Sequence, residues 1–485
     1  MLQKLFSRTL IFALAPQVPR LANIFVLPLI TPFLSPTDYY IYGTLLAYTS
    51  ALSAFRDLGL GMIFPIVFFK SPHRYKSVWQ QLYGYLSIWT IFYALFMATV
   101  LYFVMPKEAL PNRLLLLALL CIPPAFFENT SSIGYFCYQC KEKAGYIGFV
   151  TAISGIFSVL INYFLIAKYN MTYMAWFISL FVAALLSFVM YIIPLVFQNG
   201  ITPIFKFKKS FILPYLKIAI PAIPHYYSTW LVNSSDRVVM DRYHLNTNSV
   251  GIYNFAYTMG NYASMFAMAL FRAISPTVTK LWNEKTPESK QHRRDLLFFI
   301  QTIILFAFTT CCIWMKEIFI FLTNNSELKV AYSWAIIIIM SYALQTLTAT
   351  ITIPLQFEGK TNVLWKITLV GGLINLLMNL CFLPVFGVGE AALATYVAIN
   401  YTAFAGFFFK AYKELNDVSY YPLRWLGVGI LLTAGLYAGK DLYFIWKIGI
   451  NVFVVAIAFW VLKKMRYNLM RYDAIAQKQQ ISAKR

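Results

Sequence analysis

Residues 335–355 read AIIIIMSYALQTLTATITIPL, twenty-one positions without a single charge. A run of about 18 to 25 mainly apolar residues is long enough to cross the hydrocarbon core of a bilayer as a helix. Such runs recur along the chain, for example LLLLALLCIPPAFF from Leu114. The 485 residues are 60% hydrophobic, 18% aromatic and 12% charged, with mean hydropathy +0.64. An ordinary soluble domain carries roughly 25% charged residues, so a soluble globular chain is excluded. The pattern predicts an all-α membrane protein of about fourteen transmembrane helices. They lie near 9–31, 41–65, 79–105, 113–136, 146–167, 173–197, 215–235, 251–280, 295–322, 329–355, 362–384, 389–410, 421–438 and 441–462.

The net charge of +22 raises the question of nucleic acid, and its distribution answers it. About 28 of the 40 Lys and Arg fall on one side of this topology and about 8 on the other. The remaining four, Arg20, Arg56, Arg272 and Lys447, lie inside spans. That bias places both termini in the cytoplasm and makes the basicity a topology signal. No nucleic-acid partner is expected.

The opening MLQKLFSRTLIFALAPQ mimics a secretory signal, but cleavage there would remove half of the first span, so an uncleaved helix is expected. Cys137 and Cys140 form a C-x-x-C with no second pair and no histidine cluster beside it, which reads as small apolar packing. No metal or cofactor is called for. Every gap between spans is short, leaving no soluble domain for an active site, and no phosphate-binding G-x-x-x-x-G-K-[ST] is present. The basic gap FQNGITPIFKFKKSFILPYLK separates the first six spans from the next six, which predicts a unit at 1–205, a second at 206–413, and two accessory helices with a basic tail at 414–485. The two halves echo each other: APQVPR in span one, and IPAIPH leading to SSDR in span seven. Internal repeats with proline-broken helices are a transporter signature, with the substrate site near mid-membrane.

Charges inside apolar spans are the sharpest functional signal. Each costs about 2.5 to 3.5 kcal/mol on insertion scales unless it meets water or a partner. Arg20 lies about ten residues into span one, Arg56 and Asp57 sit side by side in ALSAFRDLGLGM (51–62), Glu128 falls in PPAFFENTSS, and Arg272 in MALFRAISP. Snorkelling or mutual neutralisation would account for some of them singly, with Glu128 a simple counter-ion to one of the arginines; on the functional reading Arg20, Arg56 and Arg272 bind substrate, Asp57 tunes or orients Arg56, and Glu128 joins the binding residues. Neighbouring helical positions point about 100° apart, so in a continuous helix Arg56 and Asp57 would not satisfy each other. Three arginines on three spans suggest a cationic cavity for an anion, because guanidinium holds phosphate through forked, charge-assisted hydrogen bonds. The arginines give the charge class of the ligand and leave its identity open.

Three blocks then show a resemblance: LSPTDYYIYGTLLAYTSALSAFRDLGL, LKIAIPAIPHYYSTWLVNSSDRVVMDRYHLNTNSVGIYNFAYTMG, and LQFEGKTNVLWKITLVGGLINLLMNLCFLPVFGVGEAALATYVA. In this order, over about the first 410 residues, they resemble the bacterial oligosaccharide/O-antigen flippase family (Wzx-type) of the multidrug/oligosaccharidyl-lipid/polysaccharide exporter superfamily. Glu390 departs from the pattern, which more often has a small residue there. The resemblance implies two pseudo-symmetric six-helix lobes followed by two extra helices in the bacterial inner membrane. It implies alternating-access transfer of an undecaprenyl-pyrophosphate-linked oligosaccharide, with other polysaccharide-assembly membrane proteins as possible partners. It also implies roles for Arg20, Arg56 and Arg272, which fall in the helices where related flippases carry important arginines. Tyr226, Tyr227, Trp230, Tyr253 and Tyr257 are candidates to stack on sugars. Proton or Na⁺ coupling through Asp57, Glu128 or His225 stays open beside drive by the membrane potential. The chief rival is a multidrug/cation antiporter of the same superfamily, whose site should be acidic. A polymerase or ligase would need a long external loop that the sequence lacks, so no enzyme is expected.

Overall fold

The computed structural model describes residues 18–206, 208–416 and 418–482. The signal-like start and the first half of span one lie outside the described residues. The described residues contain helices and no strands. In chain order the helices are α1 (Val18–Ile30), α2 (Pro36–Ser53), α3 (Ile63–Lys70), α4 (Tyr75–Val104), α5 (Arg113–Ile122), α6 (Glu128–Cys140), α7 (Ala144–Ala167), α8 (Thr172–Ile193), α9 (Lys209–Ala219) and α10 (Ile223–Asn233). Apart from two four-residue helices, Ser326–Lys329 and Lys410–Lys413, they continue with α11 (Ser235–Arg242), α12 (Thr247–Glu284), α13 (Pro287–Ile313), α14 (Met315–Leu322), α15 (Tyr332–Ser341), α16 (Ala349–Phe357), α17 (Asn362–Phe386), α18 (Gly389–Phe404), α19 (Pro422–Ala438) and α20 (Phe444–Ser482). Among the described residues nine helical stretches are long and apolar enough to cross a membrane, and three shorter apolar helices accompany them. This is a multi-pass membrane protein. Its described residues gather into two compact units: one runs to Asn254 and takes in Leu322–Leu328, the other holds Phe255–Phe321 and the chain from Lys329 on.

In the first unit, Ser35 and Asp38 form a capping box at the start of α2, with Pro36 in the first turn, where its missing N–H is no loss. Asp38 also accepts the backbone N–H of Tyr173 at 3.3 Å, tying α2 to the start of α8. Span two is not the continuous helix expected from its hydropathy. α2 stops at Ser53, residues 54–59 turn, and the helix resumes through Leu60–Met62 into α3. The cause is local. Asp57 Oδ1 accepts the Gly59 N–H at 3.1 Å, a side-chain turn that competes with the helical ladder. Leu58 and Gly59 take left-handed φ of 50° and 75°. A Cβ on Gly59 would also press into the Ala219 carbonyl oxygen, so glycine is needed for conformation and for space.

Below the break, Leu60, Ile63, Phe64 and Val67 pack with Trp79, Leu82, Leu86, Ile133, Cys137, Cys140, Leu195 and Ile212. Trp79 is fully buried, edge-on to Phe64, and donates its indole N–H to the Phe64 carbonyl at 3.1 Å. Both cysteines of the C-x-x-C are thus small core residues.

In the second unit the opening stretch 335–355 is largely buried and is itself interrupted. α15 ends at Ser341 and α16 begins at Ala349, with a tight Gln345–Thr348 turn between. The fully buried Gln301 of α13 donates to the Ala343 carbonyl at 2.6 Å and accepts from the Thr346 hydroxyl. A membrane interior supplies no water, so a freed backbone group must find a partner in the protein. α15 packs on α18, a helix in which Ala391, Ala392, Ala394 and Ala398 are buried, small residues that let helix backbones approach. The intramembrane Lys447 of α20 is buried, with Nζ 2.9 Å from both Glu317 oxygens. Nearby, Asp441 in the α19–α20 loop accepts Lys316 Nζ and the Tyr332 hydroxyl, each at 2.7 Å, and these bonds hold its carboxyl below the usual carboxylate range.

Three predictions concern folding. Gly59→Ala should destabilise the purified protein by about 2 kcal/mol or more in detergent thermal melts. Gly145→Ala, where a Cβ meets open space in α7, should be neutral or stabilising by up to ~1 kcal/mol. Lys447→Met should cost about 2 kcal/mol by leaving Glu317 unpaired, and Lys447→Met with Glu317→Gln should recover much of it in the same melts.

Candidate functional site

The break at 54–59 frees backbone groups from the helical ladder, and α4 answers for one of them. The Phe55 carbonyl, released from the helical ladder, accepts the indole N–H of Trp89 on α4 at 2.9 Å. Inside the turn, Arg56 N–H bonds the Ser53 carbonyl at 3.1 Å and Leu60 N–H the Asp57 carbonyl at 2.8 Å. The break therefore presents the Arg56 side chain from a fixed turn rather than from a helix face.

Arg56 forms an ion pair with Glu128, 72 positions away in sequence. Glu128 owes its placement to Pro123 and Pro124. α5 gives way to a wide π turn over Pro123–Phe127, and α6 starts at Glu128. π turns inside helices are frequent at functional sites. The turn is fastened to α4: Thr90 donates to the Ala125 carbonyl at 3.2 Å, and the buried Asn129 donates to Thr90 Oγ1 at 2.8 Å and to the Leu86 carbonyl at 3.3 Å. Buried Tyr93, also on α4, interacts electrostatically with both Arg56 and Glu128. The ion pair stays accessible, with side-chain exposures of 29% for Arg56 and 34% for Glu128.

α10 completes this region. Trp230 donates its indole N–H to the Ala47 carbonyl of α2 at 3.0 Å, Tyr227 lies against Trp230 with ring centres 5.4 Å apart and planes tilted by 57°, and Tyr227 meets Phe55 edge-on at 6.1 Å between ring centres. Tyr226 is 52% exposed, and its hydroxyl interacts electrostatically with Asp57 and Arg56. His225 is exposed beside it. The first unit thus carries one patch in which a guanidinium, two carboxylates and accessible aromatic rings meet.

Of the residues singled out in the sequence, Arg56, Asp57 and Glu128 come together here, with Tyr226, Tyr227 and Trp230 alongside. Asp57 forms the turn as well as flanking the arginine. Arg20 lies on α1, and its side chain is outside the described residues. Arg272 belongs to the second unit, exposed on α12. Tyr253 and Tyr257 are buried: Tyr253 donates to the fully buried Asp236, and Tyr257 pairs with Tyr342 at 3.3 Å. They are packing residues in this structure and leave no ring face free for a sugar. The SSDR motif is an internal polar knot, with Arg237 donating to Asn254 Oδ1 and the Asn233 carbonyl, each at 2.9 Å. Glu390 is buried at the start of α18, with Oε2 unpartnered among the described residues. Sequence reasoning missed Trp89, Tyr93, Thr90 and Asn129, which shape the patch from α4 and α6. Only the polar residues recurring inside α4 hinted at them.

The family described as "Polysaccharide biosynthesis protein" matches residues 6–282, and the MatE family matches residues 221–381. No curated protein matches the chain. Among solved structures, a lipid II flippase, MurJ, in an inward closed conformation is 15% identical, with TM-score 0.69 over 95% of this chain and 99% of that one. An inward-facing multidrug-resistance MATE transporter of the MOP superfamily is 12% identical, with TM-score 0.60 over 85% of this chain and 99% of that one. A MOP-superfamily transporter from Pyrococcus furiosus, described as having a binding pocket of reverse polarity, is 11% identical, with TM-score 0.58 over 85% of this chain and 95% of that one. The fold is that of these transporters, and the chain belongs to the polysaccharide biosynthesis protein family.

Proposed function

We propose that this protein is a flippase of the bacterial inner membrane. It would carry undecaprenyl-pyrophosphate-linked oligosaccharide units from the cytoplasmic to the outer leaflet by alternating access, with both termini in the cytoplasm. The observation that carries this reading is Arg56, held at a break in an apolar helix, accessible, and flanked by exposed aromatic rings. A guanidinium offers the pyrophosphate two parallel, charge-assisted hydrogen bonds, strengthened where water is scarce. Tyr226 offers a ring face to the first sugar and a hydroxyl near the phosphate. Arg20 and Arg272 are proposed as further cationic stations for the same head group. The lipid tail stays in the bilayer, and other assembly proteins would supply and consume the lipid-linked units.

Drive need not come from a cofactor. A pyrophosphate of charge near −2 leaving a negative-inside cell gains about 2 × 2.3 kcal/mol per 100 mV. The second reading, a cation antiporter, draws on the two carboxylates beside Arg56. Asp57 Oδ1 is used in its own turn and Glu128 is paired with the arginine, so a cation there would compete with the Arg56 guanidinium, which disfavours this reading.

Deleting the gene should trap lipid-linked oligosaccharide on the cytoplasmic leaflet and abolish the surface polysaccharide. Normal polysaccharide with new sensitivity to cationic drugs would instead select the antiporter. Arg56→Ala, at normal protein level, should lower glycan export about 10- to 100-fold, the equivalent of losing one charge-assisted pair of about 1.5–3 kcal/mol. Arg56→Lys should retain part of the export, and Tyr226→Ala should lower export more than Tyr226→Phe in the same assay.

A further inference from the structure

Glu128 makes a single side-chain hydrogen bond among the described residues, to Arg56. Asp57 flanks the same arginine, but its Oδ1 closes the turn on Gly59 and the ion pair of Arg56 is with Glu128. Unlike Asp57, Glu128 has no structural duty of its own. The π turn before it is fastened to α4 by the Ala125 carbonyl and by Asn129, so the backbone would hold without the carboxylate. Both partners remain about one-third exposed, which leaves the pair within reach of an entering ligand.

Resting on the reading of Arg56 as a pyrophosphate ligand, we propose that Glu128 is an exchangeable occupant of the arginine. It holds the guanidinium when the carrier is empty, yields it to the substrate phosphate, and reclaims it to expel the product. The physical need is plain. An unpaired arginine at membrane depth costs several kcal/mol, so the empty carrier requires an internal anion to reset. The pair also leaves Arg56 and Glu128 with no net charge during the return step. The membrane potential then acts on the loaded, outward step. An internal carboxylate competes with the ligand: if the pair is formed nine-tenths of the time, the observed dissociation constant rises about tenfold above the intrinsic one.

The test uses the full chain in lipid nanodiscs with undecaprenyl pyrophosphate as the probe, measuring equilibrium binding and, in proteoliposomes, turnover. Glu128→Gln should bind about tenfold tighter and turn over more slowly, because release loses its driving anion. In an Arg56→Ala background Glu128→Gln should change binding by less than about twofold, since no arginine remains to compete for. Glu128→Asp, one methylene shorter, should shift binding in the same direction by less, and it carries the test if Glu128→Gln does not fold. Unchanged or weaker binding in a Glu128 variant that melts like the wild type would overturn the proposal and make Glu128 a positioning residue. Failure of the underlying reading looks different: Arg56→Ala alone would then bind the probe as well as the wild type does.

Discussion

The organising constraint is that a bilayer offers no water to a freed backbone group. Wherever this chain leaves the α-helix within an apolar span, another helix must supply the missing hydrogen bond. At 54–59 Trp89 does so for Phe55, and at 342–348 Gln301 does so for Ala343. α4 is the main supplier in the first unit. Its first turns pin the 199–204 segment, where Gln80 donates its side-chain amide to the Gly200 carbonyl and accepts the Ile204 N–H on its own carbonyl. Its middle holds the break and the π turn before Glu128. The patch around Arg56 is therefore as rigid as the helix that serves it.

On the proposed function the patch only recognises its ligand, with no bond made or broken, so fixed geometry is what it needs. A guanidinium that discriminates a phosphate from other anions must have its fork fixed, which a long side chain on a straight helix does not guarantee. A turn with two left-handed residues sets the direction of Arg56, and a proline-induced π turn sets that of Glu128. Two departures from regular structure, each supported from α4, bring opposite charges together.

The fold class was legible because hydropathy is a property of long windows: twenty residues vote, and one serine does not change the outcome. The breaks were not. In SALSAFRDLGLGM the glycines and Asp57 carry a turn signal, but the same residues occur in unbroken membrane helices; the Asp57–Gly59 bond that makes the turn, and the Ala219 carbonyl that leaves room only for glycine there, are visible only in the structure. In SYALQTLTAT the signal is weaker still, because the deciding residue, Gln301, lies on another helix. Of the site, the charges themselves were readable from their rarity, and so was the expectation that Glu128 would answer one of the arginines. Which arginine it answers was not, since contacts between positions 56 and 128 leave no mark in a single sequence. Among the aromatic candidates, burial separated Tyr253 and Tyr257 from Tyr226, and burial is a property of packing that residue type does not reveal.

The last helix has a consequence for how the chain floats. α20 holds 39 residues and, at 1.5 Å per residue, reaches about 58 Å, nearly twice a hydrocarbon thickness of about 30 Å. Counted from Phe444, the cluster Lys463, Lys464 and Arg466 comes about 29 to 33 Å along it, where a rod entering at one interface would surface at the other. These three cations act as a waterline. Cations resist being drawn into hydrocarbon, so a helix spanning from Phe444 would ride no deeper than this cluster, and its final turns would stand clear of the lipid as a mast.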